Sequence, residues 1–268
     1  MIEIPKIILG NAENLLNAID TFDKVIVLDA PFDEYINFPK IHSFKTLIAF
    51  VSEKQKDILI ALYGRPNQTL IWTFDNGRPT TDRRPLCCHE YILIYGKLPN
   101  SSRGLGGKNP KYIEGAPPRI RTSQSFGRDR LTPPKPYIAE ENYTLKSFIH
   151  INRTIGYLGC WEKPEELMDI LIQYLSTPDD TIIDFFLGSG TTVVSCLKFN
   201  RKCIGIELKE EHFDIAKERI QKYMVMLGNL EVNQIITTVE ELKALREEEL
   251  KKKKDEAMDN RRTHLPVR

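Results

Sequence analysis

The sequence predicts an α/β fold built on a mostly parallel sheet. Three observations lead there. Short apolar strands alternate with helical patterns through residues 1–97. A strand–turn–helix–strand–helix run fills 163–225. A glycine turn in that run is succeeded, one strand later, by a carboxylate. With 268 residues, the chain has room for one large domain or one domain with an insertion.

In chain order, "KVIVLD" (24–29), "TLIAFV" (46–51), "TLIWTF" (69–74) and "EYILIYGK" (90–97) are apolar runs of strand length, rich in β-branched residues and aromatics. "AENLLNAI" (12–19) and "SEKQKDILIALYG" (52–64) carry helical periodicity between them. In the third quarter, "KPEELMDILIQYLS" starts with Pro164, tolerated in a first helical turn, and with acids Glu165 and Glu166, which suit a helix N-terminus. Leu167, Ile170, Leu171, Tyr174 and Leu175 fall on one face. "TIIDFF" reads as a buried strand, "LGSG" as a tight turn and "TTVVSCLKF" as a helix. "KCIGIEL" is the next strand and "EHFDIAKERIQKYM" the next helix.

Residues 98–150 change character. They are rich in Gly, Pro, Ser and Arg, with little periodicity. From Ser101 to Tyr137 there are eight Lys/Arg against two acids, a local balance of +6 inside a chain of net charge +1. A solvated long loop and a nucleic-acid arm both fit that composition. The tail from Glu241 onward is densely charged, with Glu247–Lys251, Glu248–Lys252 and Glu249–Lys253 as i,i+4 pairs in the favourable order. It reads as a solvated helix that frays; a DNA contact through Lys251–Lys254 is the alternative.

Composition excludes several classes. Apolar content of 41 % and charged content of 28 % match a soluble globular protein. No apolar run reaches the length of a membrane span. The N-terminus lacks a basic n-region and a long apolar h-region, so no signal peptide is predicted. Cys87, Cys88, Cys160, Cys196 and Cys203 form no C-x-x-C pair, which predicts free thiols in a reducing cytosol. Adjacent Cys87, Cys88 and His89 with no second cluster make a poor zinc site, and no metal is expected.

The glycine turn carries chemistry. In "DFFLGSGTT" (184–192), Gly188 and Gly190 allow close approach of the backbone to a ligand. Glu207 ends the next strand, at a separation suited to a ribose diol. Thr191 stands where a P-loop needs Lys, and Val193 where a dinucleotide fold wants a third glycine. A nucleoside cofactor without phosphates needs neither. The plain alternative is a turn that only packs a helix on a sheet.

Residues 163–220 resemble the C-terminal half of the β-class DNA amino-methyltransferases. That family shows Q-K-P-x-x-L-M, D-P-F-x-G-S-G-T-T, G-I-E and A-x-x-R-I. Here these stand as Glu162-Lys163-Pro164, Asp184–Thr192, Gly205-Ile206-Glu207 and Ala216–Ile220. "LGNAENLL" (9–16) resembles the family's G-D-a-x-x-x-L element, and "VIVLDAPF" (25–32) stands where the family carries D-P-P-Y. "HEYILIYGK" (89–97) is similar to the strand before the family's recognition region. The resemblance covers roughly residues 6–222 in the β-class order. It implies a Rossmann-like S-adenosylmethionine-dependent methyltransferase fold, circularly permuted, with a small inserted target-recognition region. Expected divisions are a catalytic half (1–97), the insertion (98–150), a cofactor half (151–225) and a charged tail (226–268).

The resemblance also implies roles. Asp29, Ala30, Pro31 and Phe32 would form the catalytic loop. Asp29 and the Ala30 carbonyl would accept the two hydrogens of a flipped base's amine, and Phe32 would stack on the base. Asn11, Lys163, Asp184, Phe186, Gly188, Ser189, Gly190, Thr191, Thr192 and Glu207 would bind S-adenosylmethionine. Arg119, Arg121, Arg128 and Arg130 would contact double-stranded DNA. Asp rather than Ser at the first loop position implies adenine N6 as the target. Cytosine N4, a silent DNA-binding relative, and a methyltransferase for RNA or small molecules are the alternatives. Restriction-modification, a cytoplasmic location and a homodimer are further implications. The chain departs from the family pattern at Ala30, Phe32, Phe185 and Asn11, where the family has Pro, Tyr, Pro and Asp.

Overall fold

A computed structural model describes residues 4–31, 38, 40–75, 87–98, 145–155, 161–228, 232–238, and 241, 244, 247, 248 and 251. The chain divides into two compact units, 1–100 with 147–268, and 101–146. The first unit holds the sheet and its helices.

Its strands are β1 (Lys6–Leu9), β2 (Val25–Leu28), β3 (Thr46–Val51), β4 (Gln68–Thr73), β5 (His89–Gly96), β6 (Phe148–His150), β7 (Thr154–Ile155), β8 (Trp161–Glu162), β9 (Thr181–Asp184) and β10 (Lys202–Glu207). Eight of them form one sheet in the order β1-β10-β9-β2-β3-β5-β4-β6. Neighbours from β1 to β3 are parallel; β5 runs antiparallel to both β3 and β4. The mostly parallel sheet expected from the strand–helix alternation is therefore present. Every residue of β2 and β3 is buried, which explains their unbroken apolar runs: a central strand needs both faces dry. β7 and β8 pair with each other apart from the sheet.

The helices are α1 (Ala12–Leu15), α2 (Glu53–Tyr63), α3 (Glu165–Leu175), α4 (Thr191–Lys198) and α5 (Glu210–Met226). Ser52 and Gln55 close a capping box at the start of α2, which satisfies the Ser52 and Gln55 amides. α3 packs on α4 and α4 on α5, while α2 packs on β3 and β5. No helix among the described residues is long and apolar enough to cross a membrane.

Several boundaries differ from expectation. The helix predicted over 12–19 stops at Leu15, one turn after its cap. Pro164 is the N-cap of α3 rather than a residue of its first turn. The strand "TIIDFF" ends at Asp184, because Phe186 N–H turns back to donate to the Asp184 carboxylate at 2.9 Å. β1 has no counterpart among the strands expected from sequence; it is a four-residue edge strand beside β10. Glu241, Ala244, Glu247, Glu248 and Lys251 are helical and exposed, as expected of a solvated helix.

Candidate active site

In an open parallel sheet, ligands collect beyond the carboxyl ends of the strands, where the strand order reverses. Here β9 leads to β10 and β1 on one side, and β2 and β3 lie on the other. A cavity of about 520 Å³ opens there. The residues just after β1 (Gly10, Asn11) and β2 (Asp29, Ala30, Pro31) line it, as do Asp184, which ends β9, and Glu207, which ends β10. The two halves of the chain thus share one site, although about 150 residues separate Asp29 from Asp184.

The glycine turn forms one wall. Gly188 and Gly190 take φ of 56° and 82°, a region costly for any residue with a Cβ. A Cβ on Gly190 would also meet Ile220 Cδ1 at 3.2 Å and Ala216 Cβ at 3.4 Å, both on α5. Glu207 holds the turn: its carboxylate accepts from Gly188 N–H at 2.8 Å and from Lys209 N–H at 3.0 Å. Arg219 on α5 holds it from behind. It donates to Ser189 O (3.2 Å), Ser189 Oγ (2.9 Å), Thr191 Oγ1 (3.1 Å) and Glu165 Oε1 (2.6 Å). Asp184 lies under the turn, 2 % exposed. Burial pushes its carboxyl up to about 7, against hydrogen bonds from Thr192 and the Phe186 amide.

The opposite wall holds Asp29. Its carboxylate faces Lys163 Nζ at 2.7 Å, and Lys163 also faces Glu90 Oε2 at 3.4 Å. Glu90 in turn pairs with Arg153 at 2.6 Å. About 30 % of the Asp29 side chain remains open to the cavity. Burial raises its carboxyl above the ordinary value; Lys163 opposes the rise and Glu90 adds to it. Burial works to lower Lys163, but Asp29 and Glu90 outweigh it and hold the ammonium above its ordinary value. The loop is tied down by Gln55, whose Nε2 donates to Pro31 O at 3.3 Å while its Oε1 accepts from Ser52 N–H at 2.9 Å.

Asp29, Ala30, Pro31, Asn11, Lys163, Asp184, Phe186, Gly188, Ser189, Thr191, Thr192 and Glu207 all line this cavity. Gly190 caps α4 beside it. Two of these also make contacts that the sequence did not indicate. Asn11 Oδ1 is the N-cap of α1, accepting from Glu13 N–H at 2.8 Å and Asn14 N–H at 3.4 Å. Lys163 stands against Asp29, Nζ to Oδ1 at 2.7 Å. Phe185, in place of the family's proline, leaves the turn for the core, edge-on to Phe38 at 5.6 Å between ring centroids. Phe32, Arg119, Arg121, Arg128 and Arg130 lie outside the described residues. Sequence reasoning missed Arg219, Gln55, Glu90 and Arg153. The first two left signals: Arg219 is the arginine of A-x-x-R-I, and Ser52-x-x-Gln55 is a capping-box pattern.

A doubly wound α/β protein with a carboxylate-lined crevice at its switch point is the class these features define. A family model described as DNA methylase, N6_N4_Mtase, matches residues 46–218, more than half of the chain, and the chain belongs to that family. It is 44 % identical over 154 residues to the type II methyltransferase M.SmaI of Serratia marcescens, covering 56 % of this chain and 44 % of that protein. It is 40 % identical over 68 residues to the orphan methyltransferase M.BamHII of Bacillus amyloliquefaciens, covering 25 % and 26 %. The matched stretch therefore spans less than half the length of either relative. Among solved structures, PvuII DNA methyltransferase (cytosine-N4-specific) has a TM-score of 0.55 at 13 % identity, covering 88 % of this chain and 95 % of that one. The M1.HpyAVI–SAM complex has 0.50 at 19 %, covering 81 % and 100 %. At these identities they show the fold, that of the S-adenosylmethionine-dependent methyltransferases.

Proposed function

We propose that this protein is an S-adenosylmethionine-dependent DNA methyltransferase that modifies adenine N6. The carrying observation is that Asp29 and the Gly188–Glu207 pair open onto one cavity. An amine acceptor and a ribose-binding carboxylate then lie within reach of a single bound cofactor. The cavity suits that cofactor. Its volume is in the range of small-molecule sites, roughly 300–1,000 Å³. Its lining holds Asp29, Glu90, Asp184 and Glu207, acids that complement a sulfonium and an amino group. The cation that contacts the glycine turn, Arg219, is already engaged by Glu165 and Ser189.

Bound S-adenosylmethionine supplies an electrophilic methyl group, which the amine takes as the methyl–sulfur bond breaks. The adenine amine is a weak nucleophile because its lone pair is conjugated into the ring. Asp29 and the Ala30 carbonyl accept its two hydrogens and draw the nitrogen toward tetrahedral geometry. Asp29 is also the nearest acceptor for the proton the amine gives up. Positioning and electrostatics supply the rate, with no covalent enzyme intermediate. The base must leave the duplex to reach this crevice. The basic segment between β5 and β6 serves as the target-recognition region, with Arg119, Arg121, Arg128 and Arg130 on DNA; residues 148–150 of the expected insertion belong to the sheet as β6.

The test is nucleoside mass spectrometry on unmethylated, sequence-diverse DNA incubated with the protein and S-adenosylmethionine. N6-methyladenine is expected, and none with Asp29→Ala, whose cofactor affinity should stay near wild type. N4-methylcytosine would keep the mechanism and correct the base. Wild-type turnover by Asp29→Ala would remove Asp29 from the reaction.

A further inference from the structure

Asp29, Lys163, Glu90 and Arg153 form a chain of alternating charge along one wall of the cavity. They come from four separate places: the end of β2, the residue after β8, the antiparallel strand β5 and the segment between β6 and β7. The contacts are 2.7 Å, 3.4 Å and 2.6 Å in sequence along the chain. Lys163 is nearly enclosed, with 13 % of its side chain exposed, and Glu90 and Arg153 are as buried, at 11 % and 9 %. The aromatic faces of Phe50 and Trp72 lie 4.9 Å and 5.6 Å from Lys163 Nζ. Arg153 stacks on Phe74 at 3.9 Å. Long cationic side chains do not stay buried in one geometry without such partners.

The proposed function leaves this wall without a task. Of these four side chains Asp29 alone touches the amine, and an unpartnered carboxylate would be free to rotate about its side-chain bonds. Accepting from an amine requires that carboxylate to be ionised, and burial beside a second acid disfavours ionisation. A fixed ammonium at 2.7 Å answers both demands.

We propose that Lys163, held in place by Glu90 and Arg153, is a positioning residue that keeps the Asp29 carboxylate aimed into the cavity as an acceptor. This rests on the reading of the site as a methyltransferase. Lys163 takes one Asp29 oxygen, and the other is left for the amine. Glu90 sets the strength of the grip: it anchors Lys163 and at the same time opposes the charge of Asp29. The described titratable groups that face Asp29 are Lys163, Glu90 on β5 and Asp184 on β9. Glu207 on β10 acts on Asp184.

The network makes a signed prediction that a merely structural role does not. In Lys163→Met, the Asp29 carboxyl should titrate at higher pH than in the wild type. Turnover should fall about tenfold or more at neutral pH and recover toward alkaline pH. Lys163→Arg should lie between. In Glu90→Gln, the same carboxyl should titrate at lower pH, the opposite direction. Carboxyl-carbon NMR titration of Asp29 reads these shifts directly, pH profiles of turnover read their consequence, and calorimetry reads cofactor affinity, expected unchanged within about twofold. An Asp29 titration that ignores both substitutions would overturn the proposal. So would a Lys163→Met variant that loses cofactor affinity while Asp29 titrates as before; Lys163 would then belong to the cofactor. Absence of methylation by the wild type would instead sink the proposed function, and the NMR titration would still decide whether Lys163 governs Asp29.

Discussion

Asp184 shows how much one buried carboxyl can control. Its folded-state proton affinity, at about 7, lies above the ordinary 3.8 because burial disfavours the charge. The folded chain therefore binds more protons than the unfolded one between those values. Stability contributed at low pH is lost as pH rises from about 4 to about 7, by a few kcal/mol in all. Asp184→Asn keeps an oxygen for the Phe186 amide and removes the charge. The melting-temperature gain of Asp184→Asn over wild type should be small at pH 4.5 and larger at pH 8, without cofactor. A gain independent of pH would show that Asp184 is ionised throughout. Glu207 holds the turn instead, its oxygens accepting from the Gly188 and Lys209 amides. Glu207→Ala should free the Gly188 loop and weaken S-adenosylmethionine binding by tenfold or more, roughly the value of one or two charge-assisted hydrogen bonds. Calorimetry showing wild-type affinity would take Glu207 out of the ribose site.

At the scale of elements, Arg219 does the joining. From α5 it reaches the glycine turn, the first turn of α3 and, at 3.5 Å, the carboxylate of Glu162 on β8. Arg219→Met would leave the buried Glu162 without this cation and the turn without its donor. A cost of about 3 kcal/mol or more is expected in urea unfolding, with Arg219→Lys restoring only part because the ammonium lacks the planar fork. A change below about 0.5 kcal/mol would mean that the turn holds itself. The same elements show what sequence could reveal. β2 and β3 announced themselves as apolar runs because they are central strands, dry on both faces, and β5 did so through its buried Ile92, Leu93, Ile94 and Tyr95. Gly188, Gly190 and Glu207 were legible because a turn and its carboxylate lie close in sequence. β1, β6, β7 and β8 were not, since two to four residues carry no period. Nor was the pairing of Lys163 with Asp29. No local pattern records that the residue after β8 meets the end of β2; only the assembled sheet does.

At the scale of the molecule, the larger unit is built on one interleaved eight-stranded sheet. β9 and β10, from the later half of the chain, lie between β1 and β2 of the earlier half, and β6 joins the far edge beside β4. Neither half can complete its sheet alone, so 1–100 with 147–268 should behave as one folding unit. Residues 101–146 leave this unit after β5 and return to it at β6. β5 and β6 flank β4, so their ends stand two strand spacings apart, about 10 Å. In register, Gln68 faces Ile94 and Ile71 faces Phe148, which adds only a few residues of offset along the strands. A Gly/Ser linker of about ten residues spans that gap with slack. Replacing 101–146 with such a linker should leave a cooperative thermal transition and S-adenosylmethionine affinity close to the full chain, because no described residue lining the cavity comes from the excised segment. DNA binding, read by fluorescence anisotropy, should fall to the level of a chain of net negative charge, since the segment removed carries the excess of Lys and Arg. Undiminished DNA affinity would move the recognition surface to the sheet or the charged tail. Loss of the thermal transition would show that 101–146 contributes to the core rather than to target recognition.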